Sequence, residues 1–381
     1  MAYFDNAATT YPKPEWVYSF MDEFYRKNGG SAGRGSYELA NTAKGIIDDT
    51  RIRLQRILKC PAKQIVFEPT ATISLNIIIQ GMIESGLENI YISPFEHNAV
   101  TRTLHHYEKV GRIKVNELSV TEDLEYDLKR IRYQFDSMKP DFVIVSHASN
   151  VIGLVAPIEE IFALAKKYHA ITLVDMAQTA GLIDTNVGLE TIDFAVFAGH
   201  KTLMGPTGLS GFAMNPAVQP VPVLFGGTGY DSANQDMPDS IPEKYEMGTL
   251  NIAGMAGLNA ALKWIEEQSI DVLYREEELR RECLISLLKE YDFFSLVGNV
   301  NGRKYVGIIS CLLDGISSDS AGTIFSEHGI SVRTGLHCAP HAHKFLNTYP
   351  AGTIRFSVNS LTRDEDYQVL KDVLDCIRGE I

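Results

Sequence analysis

The segment Phe194-Ala-Val-Phe-Ala-Gly-His-Lys-Thr-Leu-Met-Gly-Pro-Thr-Gly208 decides the fold, because an apolar run of strand length ends there in a turn that carries a lysine. Lys201 therefore stands directly after a predicted strand. Most lysines are solvated surface residues, and this pattern alone allows that interpretation. A lysine at the end of a buried strand is also well placed for its amine to form a Schiff base with an aldehyde.

A second polar residue follows a strand of the same kind. Ile171-Thr-Leu-Val-Asp175 ends in a carboxylate, and Gln178 comes shortly after it. An aspartate in this position is often only a turn or cap residue. Together with Lys201, it predicts an enzyme that uses pyridoxal 5'-phosphate (PLP), in which a lysine holds the cofactor and a carboxylate keeps the pyridine nitrogen protonated.

Length and composition limit the function classes. A chain of 381 residues exceeds the usual single-core limit of roughly 250 to 300 residues, so two domains are expected. The formal net charge of −13 argues against nonspecific binding to nucleic acid or to an anionic membrane. No apolar run approaches the roughly 20 residues that span a bilayer, and the N-terminus lacks the pattern of a signal peptide. The sequence therefore predicts a cytoplasmic protein.

The first half of the chain alternates β-rich runs with amphipathic stretches, which is typical of an α/β fold with a mostly parallel sheet flanked by helices. A helix is predicted over Leu39 to Leu58, and another begins at Pro157, expected at the first helical position. The candidate strands are Ile65-Phe67, Asn89-Ser93, Asp141-Ser146, Ile171-Asp175, Asp193-Phe197 and Gly211-Met214.

The second half predicts a smaller α+β domain. Residues 226–249 are rich in Gly, Pro, Ser and Asp and are interpreted as a long loop. The later elements are predicted as a helical stretch from Asn251 to about Glu290, strands near Val306-Leu313, Ile330-Arg333 and Thr353-Ser357, and helices near Ser318-Glu327 and from Arg363. We therefore expect an N-terminal segment near the active site (1–15), a large PLP-binding domain (16–255) and a small C-terminal domain (256–381) that carries the catalytic cysteine.

Three further segments follow predicted strands, where ligands of open α/β sheets collect. The turn at Thr70-Ala71-Thr72 enters a helical pattern, so its N–H groups and hydroxyls could hold a phosphate, although a threonine cap without a ligand has the same pattern. His97 could stack on a cofactor ring or move protons, or be incidental. Asn150 could bind substrate or belong to a plain turn.

The cysteines are too few and too scattered for a disulfide framework. Cys338 lies in Ser331-Val-Arg-Thr-Gly-Leu-His-Cys-Ala-Pro-His-Ala-His-Lys344, where His337, His341 and Lys344 would favour its thiolate. It could instead be a buried structural thiol, or part of a Cys/His metal site, although no second Cys or carboxylate partner is nearby and we predict no metal. The other four, Cys60, Cys283, Cys311 and Cys376, are predicted to be packing residues.

Arg355 is the last candidate, in the strand-like segment Thr353-Ile-Arg-Phe-Ser357. A guanidinium group matches a carboxylate in geometry and could clamp one bidentately. As a surface ion-pair residue it would be unremarkable.

These residues together resemble one family, the class V, fold-type I PLP-dependent enzymes, and within it the cysteine desulfurases and selenocysteine lyases. The resemblance implies the fold of a fold-type I PLP-dependent transferase. Matching segments run through nearly the whole chain, namely Phe4-Asp-Asn-Ala-Ala-Thr-Thr10, Asp175 with Gln178, Gly199-His-Lys201, Gly248-Thr249, Arg333-Thr-Gly-Leu-His-Cys338 and Arg355.

The resemblance also implies residue roles. Lys201 would form the Schiff base, Asp175 would pair with the pyridine nitrogen, Gln178 would contact the ring hydroxyl and His97 would stack on the ring. The phosphate would be held by the turn of Thr70, Ala71 and Thr72, by His200 and by Thr249 from a partner subunit. The substrate amino acid would be bound by Asn150, Arg355, Asn6 and Arg333, with Arg355 on its carboxylate, and Cys338 would take the sulfur.

The sequence departs from the family pattern at two places. Ala198 stands where the family usually has a serine, which removes one hydroxyl from the phosphate site. The turn usually read as Gly-Thr-Thr is here Thr70-Ala71-Thr72. We therefore expect either lower cofactor affinity or another group that compensates.

The function implied is that of a PLP-dependent cysteine desulfurase, which converts L-cysteine to L-alanine and passes the sulfur to Cys338 as a persulfide. A sulfur-acceptor protein or thiol and a homodimer are expected with it. Three alternatives remain open: a selenocysteine or cysteine-sulfinate lyase, a class V aminotransferase, and a non-catalytic sulfur-relay scaffold.

Overall fold

The computed structural model describes residues 1–32, 35, 37–230 and 233–380. The first half alternates strands and helices as predicted. Its elements are β1 (Ala2–Tyr3), α1 (Glu15–Asn28), α2 (Glu38–Ile57), β2 (Gln64–Glu68), α3 (Ala71–Glu84), β3 (Asn89–Ile92), α4 (Asn98–Lys109), β4 (Lys114–Glu117), α5 (Leu128–Ser137), β5 (Phe142–Ser146), α6 (Ile158–Lys166), β6 (Ile171–Asp175), β7 (Phe194–Ala198) and β8 (Ser210–Met214).

The second half contains two long helices followed by a small antiparallel sheet and its covering helices. Its elements are α7 (Ile252–Gln268), α8 (Ile270–Leu288), β9 (Phe294–Val297), β10 (Ile308–Leu313), α9 (Ser318–Glu327), β11 (Ile330–Ser331), β12 (Arg333–Gly335), α10 (Pro340–Phe345), β13 (Thr353–Ser357) and α11 (Asp364–Glu380). None of the helices in the described residues is long and apolar enough to cross a membrane.

A seven-stranded sheet in the order β2-β8-β7-β6-β5-β3-β4 forms the centre of the large unit. All of its pairs are parallel except those of β8, which runs antiparallel to both β2 and β7. Strands β5, β7 and β8 are buried along their whole length, because helices cover both faces. The predicted sheet flanked by helices is thereby confirmed.

One face of this sheet packs on α3 and α4, and the other on α2, α5, α6 and α7. The carboxyl ends of β3, β5, β6 and β7 lie at the same edge, because these strands are mutually parallel or joined through parallel pairs. Polar segments follow each of them there, at the position where ligands of open α/β sheets bind.

A four-stranded antiparallel sheet in the order β12-β13-β10-β9 forms the smaller unit. Its core includes residues of α8, α9 and α11. The start of the chain joins it, since β1 pairs in parallel with β11. The smaller α+β unit expected from the sequence therefore includes the N-terminal strand.

Several boundaries differ from the sequence predictions. The helical stretch from Asn251 is two helices, separated at Ser269, whose φ of 71° does not continue a helix. Pro157 is the N-cap of α6 rather than its first residue. Strands β1, β4 and β9 were not predicted. The predicted strand Ile330-Arg333 is divided between β11 and β12. The long loop over 226–249 has no helix or strand in its described part, and residues 231 and 232 lie outside the described residues.

Candidate active site

Lys201 is fixed by its backbone just beyond the end of β7. Thr10 Oγ1 and Met204 N both donate to Lys201 O, at 2.9 and 2.8 Å. Burial lowers the pKa of Lys201 to about 8; the Asp175 carboxylate acts in the opposite direction, and Arg355 adds to the lowering. The amine is therefore far more often neutral at physiological pH than that of an exposed lysine.

Asp175 ends β6, beside the strand that leads to Lys201. It is buried, and its Oδ1 accepts a hydrogen bond from Ala177 N at 2.9 Å. Burial raises its pKa, while this hydrogen bond and the Lys201 charge lower it. Gln178 is oriented by donating from Nε2 to Ala7 O at 3.0 Å. A cationic ring nitrogen would supply the counter-charge that this buried carboxylate needs.

These residues line one cavity of about 240 Å³ between the sheet edge and α3. It brings together most of the sequence-predicted cofactor residues and one predicted substrate residue. They are Thr70, Ala71, Thr72, His97, Asn150, Asp175, Gln178, His200 and Lys201.

The cavity contains an anion site at the start of α3. Thr70 caps the helix by accepting from Ile73 N at 3.2 Å, which leaves the N–H groups of Ala71 and Thr72 without an intrahelical acceptor. His200 Nδ1, on the opposite wall, is buried and has no hydrogen-bond partner among the described residues. An amine, a facing carboxylate and free donors for a phosphate are the groups that PLP requires, so the residues present fit this cofactor.

His97 separates this cavity from a second one. It is the N-cap of α4, and its Nδ1 accepts from Ala99 N at 3.0 Å, which leaves the proton of the neutral ring on Nε2. Burial, with a smaller contribution from the nearby Lys201 charge, lowers its pKa to about 4. A neutral ring with a fixed orientation suits stacking on a cofactor.

Cys338 lines the second cavity, which has a volume of about 430 Å³ and also includes Thr72 and His97. Cys338 and the preceding His337 both have left-handed backbones, with φ of 57° and 46°. Such residues persist only when their surroundings hold them. Here Asn98 N donates to Cys338 O at 2.7 Å, and Asn150 Nδ2 donates to His337 O at 2.6 Å.

The cation at the thiol differs from the sequence prediction. Arg333 Nη2 donates to Cys338 Sγ at 3.4 Å. Burial lowers the pKa of His337 to about 2, so this ring is neutral. His341 is paired with Glu117, and the Lys344 ammonium lies over the Tyr349 ring. The prediction was therefore wrong for His337, whereas the described contacts of His341 and Lys344 are with Glu117 and Tyr349.

The other cysteines divide into two pairs. Cys60 and Cys311 are buried packing residues as predicted, whereas Cys283 and Cys376 are exposed, so the prediction was wrong for these two. Within the described part of the chain, no three His, Cys, Asp or Glu side chains are grouped so that they could hold a metal ion.

Arg355 is 1% exposed and thus not a surface ion-pair residue. Its Nη1 donates to Asn150 O at 2.9 Å, and its Nη2 donates to Asp5 Oδ1 at 2.8 Å. Its Nε has no partner among the described residues. Asp5 was not identified as a site residue, although it lies in the quoted segment Phe4-Asp-Asn, where a carboxylate follows an apolar residue.

Five predicted residues do not line this cavity, namely Cys338, Arg333, Arg355, Asn6 and Thr249. Asn6 lines an adjacent one, and its amide is used structurally: Nδ2 donates to Ser357 O, and Oδ1 accepts from Asn359 Nδ2, both at 3.0 Å. Thr249 is exposed on the long loop.

Glu96, which lies beneath the cavity, was not predicted as a site residue. It is fully buried, and its two oxygens accept from Ser146 N and Ser146 Oγ at 2.5 and 2.8 Å. Burial raises its pKa to about 8. The signal for it was a carboxylate between the apolar strand β3 and His97.

Comparison with known proteins agrees with this site. The family model for aminotransferase class-V matches residues 2–370. A probable cysteine desulfurase of Pyrococcus abyssi is 29% identical over 98% of this chain and 93% of its own length. A cysteine desulfurase of Haloferax volcanii is 27% identical over 99% of this chain and 89% of its own length.

A solved structure is also similar along the whole chain. The apo structure of a cysteine desulfurase from Thermococcus onnurineus NA1 has a TM-score of 0.88 and 28% identity, and the match covers 100% of this chain and 95% of that one. The fold, the PLP-compatible cavity and the match over residues 2–370 lead to one conclusion. The chain belongs to the aminotransferase class-V family, whose members are PLP-dependent enzymes.

Proposed function

We propose that this enzyme is a PLP-dependent cysteine desulfurase, which converts L-cysteine to L-alanine and retains the sulfur on Cys338 as a persulfide. The observation that carries the proposal is a thiol held beside Arg333 in the cavity that adjoins the PLP cavity at Thr72 and His97. The names of the similar proteins support it. A class V aminotransferase would have no use for a thiol in this place.

Bound PLP supplies an electron sink for the negative charge that forms when the substrate Cα loses its proton. We assign this proton to Lys201 Nζ, because burial lowers the pKa of that amine to about 8 and so makes its neutral, basic form more available than that of an exposed lysine. Asp175 would hold a proton on the pyridine nitrogen, and His97 would cover the ring. Asn150 and Arg355 orient the substrate, with the Arg355 guanidinium on its carboxylate.

Sulfur transfer balances without an external oxidant. The substrate Cβ–Sγ bond breaks, a bond forms between that sulfur and Cys338 Sγ, and the substrate Cβ gains a proton. The carbon is reduced as the sulfur is oxidised, so L-alanine leaves and a persulfide remains. We propose that an acceptor protein or thiol then removes the sulfur. The free cysteines support a reducing, cytoplasmic location.

Mass spectrometry after turnover of L-cysteine tests the proposal. We expect one added sulfur on the peptide that contains Cys338 and none on that of Cys283, an exposed cysteine. Cys338→Ser should lower alanine formation by about a hundred-fold or more, while Cys283→Ser should match the parent. A Cys338→Ser variant that desulfurates cysteine at the parental rate would rule out this role.

The same variants distinguish the desulfurase from the three alternative functions. A selenocysteine or cysteine-sulfinate lyase should act on its own substrate nearly as well without Cys338, so rates for the three substrates are compared in both proteins. An aminotransferase needs an α-keto acid and releases no sulfide. A non-catalytic scaffold would turn over none of the three.

A further inference from the structure

The phosphate side of the cavity lacks a hydroxyl at Ala198, and the sheet places another one beside it. In the antiparallel pair of β7 and β8, Ala198 lies opposite Ser210. In the pair of β8 and β2, Ser210 lies opposite Glu68. Directly opposed residues point to the same face, with Cβ atoms about 5 Å apart. Ala198, Ser210 and Glu68 therefore form one row across three strands.

Ala198 is the member of this row that lines the cavity with the anion site, and Ser210 lies next to it in the sheet. The residues two positions further along these strands, Val196, Phe212 and Val66, pack with α3 in one core, so the row points to the α3 side of the sheet. Thr70 follows β2 and His200 follows β7, and both line the cavity. Strand β8 lies between these two strands, so its first residue lies between the two walls of the anion site.

Ser210 has no structural use for its hydroxyl. The residue is 1% exposed, and Ser210 Oγ is buried without a hydrogen-bond partner among the described residues. Leaving a buried hydroxyl unpaired costs free energy, so the residue is explained best by a partner that binds there.

Charge does not oppose an anion in this place. Burial raises the pKa of Glu68 to about 8, and the Glu246 carboxylate raises it as well. Glu68 is therefore mostly neutral at pH 7. His200 Nδ1, likewise buried and unpaired within the described chain, is available on the opposite wall of the anion site.

We propose that Ser210 donates its hydroxyl hydrogen bond to the phosphate of PLP and replaces the hydroxyl missing at Ala198. The proposal rests on the placement of the phosphate at the start of α3 and not on the desulfurase reaction. The hydroxyl is thus supplied by β8 instead of β7, one strand away in the same row.

The test is a titration of apoenzyme with PLP and with pyridoxal, which lacks the phosphate, followed by absorbance without any amino-acid substrate. Ser210→Ala should raise the Kd of PLP about ten-fold or more, as for loss of a hydrogen bond to a charged group, and leave that of pyridoxal unchanged. The double variant Ala198→Ser/Ser210→Ala should regain most of the PLP affinity.

The thermal stability of the apoenzyme separates binding from structure. Ser210→Ala removes an unpaired buried hydroxyl, so the apoenzyme Tm should stay constant or rise. Ser310→Ala is the control, because Ser310 Oγ is buried and donates to Val151 O at 2.7 Å; it should lower the apoenzyme Tm and leave the ratio of the two affinities unchanged.

Three results would overturn the inference: an unchanged ratio of PLP to pyridoxal affinity in Ser210→Ala, a lowered apoenzyme Tm for that variant, or no recovery in the double variant. Failure to desulfurate cysteine would refute the proposed reaction and leave these binding results unaffected.

Discussion

Lys201 combines a fixed backbone with an amine whose pKa burial lowers to about 8. An amine attacks an aldehyde only when it is unprotonated. We therefore expect the rate of PLP capture by apoenzyme to rise with pH up to about 8 and then level off. With an unperturbed lysine, the rate would continue to rise up to about pH 10.4. Stopped-flow absorbance across this pH range measures it.

The Asp175 carboxylate stabilises the ammonium form of Lys201. Asp175→Asn should therefore move the midpoint of the pH profile to lower pH. Asp184→Asn is a suitable control, since Asp184 is a half-exposed carboxylate paired with Lys59. A midpoint close to 10.4 in the parent protein would contradict the expected burial of the amine.

At the residue scale, sequence patterns predicted which residues carry the chemistry better than they predicted which residues contact each other. The positions of Lys201 and Asp175 at strand ends followed from the apolar runs before them. Arg333 as the cation on Cys338 did not, because the contact depends on how β12 and the following turn fold back on each other. The structural use of the Asn6 amide depends on Ser357 and Asn359, more than 300 residues away in sequence.

The N-terminus of α4 joins the two cavities. His97 is its N-cap, and Asn98 N, a first-turn group without an intrahelical acceptor, donates to Cys338 O. Proline is tolerated at the first helical position, and the extended backbone of His97 suits a residue before proline. Asn98→Pro should thus keep the helix and remove this hydrogen bond, together with the one that Asn98 Oδ1 accepts from Thr101 Oγ1, which Asn98→Ala also removes.

We expect Asn98→Pro to bind PLP normally and to form the Cys338 persulfide about ten-fold more slowly, because the left-handed turn loses a support. Asn98→Ala is the matched control and keeps the N–H group, so it should resemble the parent. Single-turnover mass spectrometry of the Cys338 peptide, with the absorbance spectrum, measures both. Equal rates in the two variants would show that this hydrogen bond does not position the thiol.

At the element scale, periodicity and apolar runs predicted the buried strands and most helices closely, since strands covered on both faces are nearly continuous apolar runs. Strand β4 (Lys114–Glu117) was not predicted, because this edge strand is polar. Ser269 was missed as a break because its neighbours on both sides are helix formers, and only its backbone angle divides α7 from α8.

At the scale of the whole molecule, α8 connects the two cores. Leu273 near its start packs in the core of the large sheet, whereas Leu284 near its end packs in the core of the small one. The predicted boundary between residues 255 and 256 falls within α7, whose Met255 and Ala256 pack in the large core. We propose that the small domain begins within α8 and includes β1, which places residues 1–15 between the two domains.

We also propose that the enzyme is a homodimer in which Thr249 completes the partner's phosphate site. Thr249 is exposed and does not line the cavity of its own subunit, whose wall at Thr70 and Thr72 is exposed too. A carboxylate at position 249 would repel the phosphate, so Thr249→Asp should be inactive, as should Lys201→Ala.

Mixing these two inactive variants after mild dissociation should restore activity. Each hybrid dimer of this kind contains one site with both Lys201 and Thr249 intact, so random exchange at equal amounts should give roughly a quarter of the parental activity. If Thr249 acted within its own subunit, every site would lack one of the two residues and the mixture would stay inactive. If the fully active enzyme has the mass of a monomer in light scattering, the dimer itself is refuted.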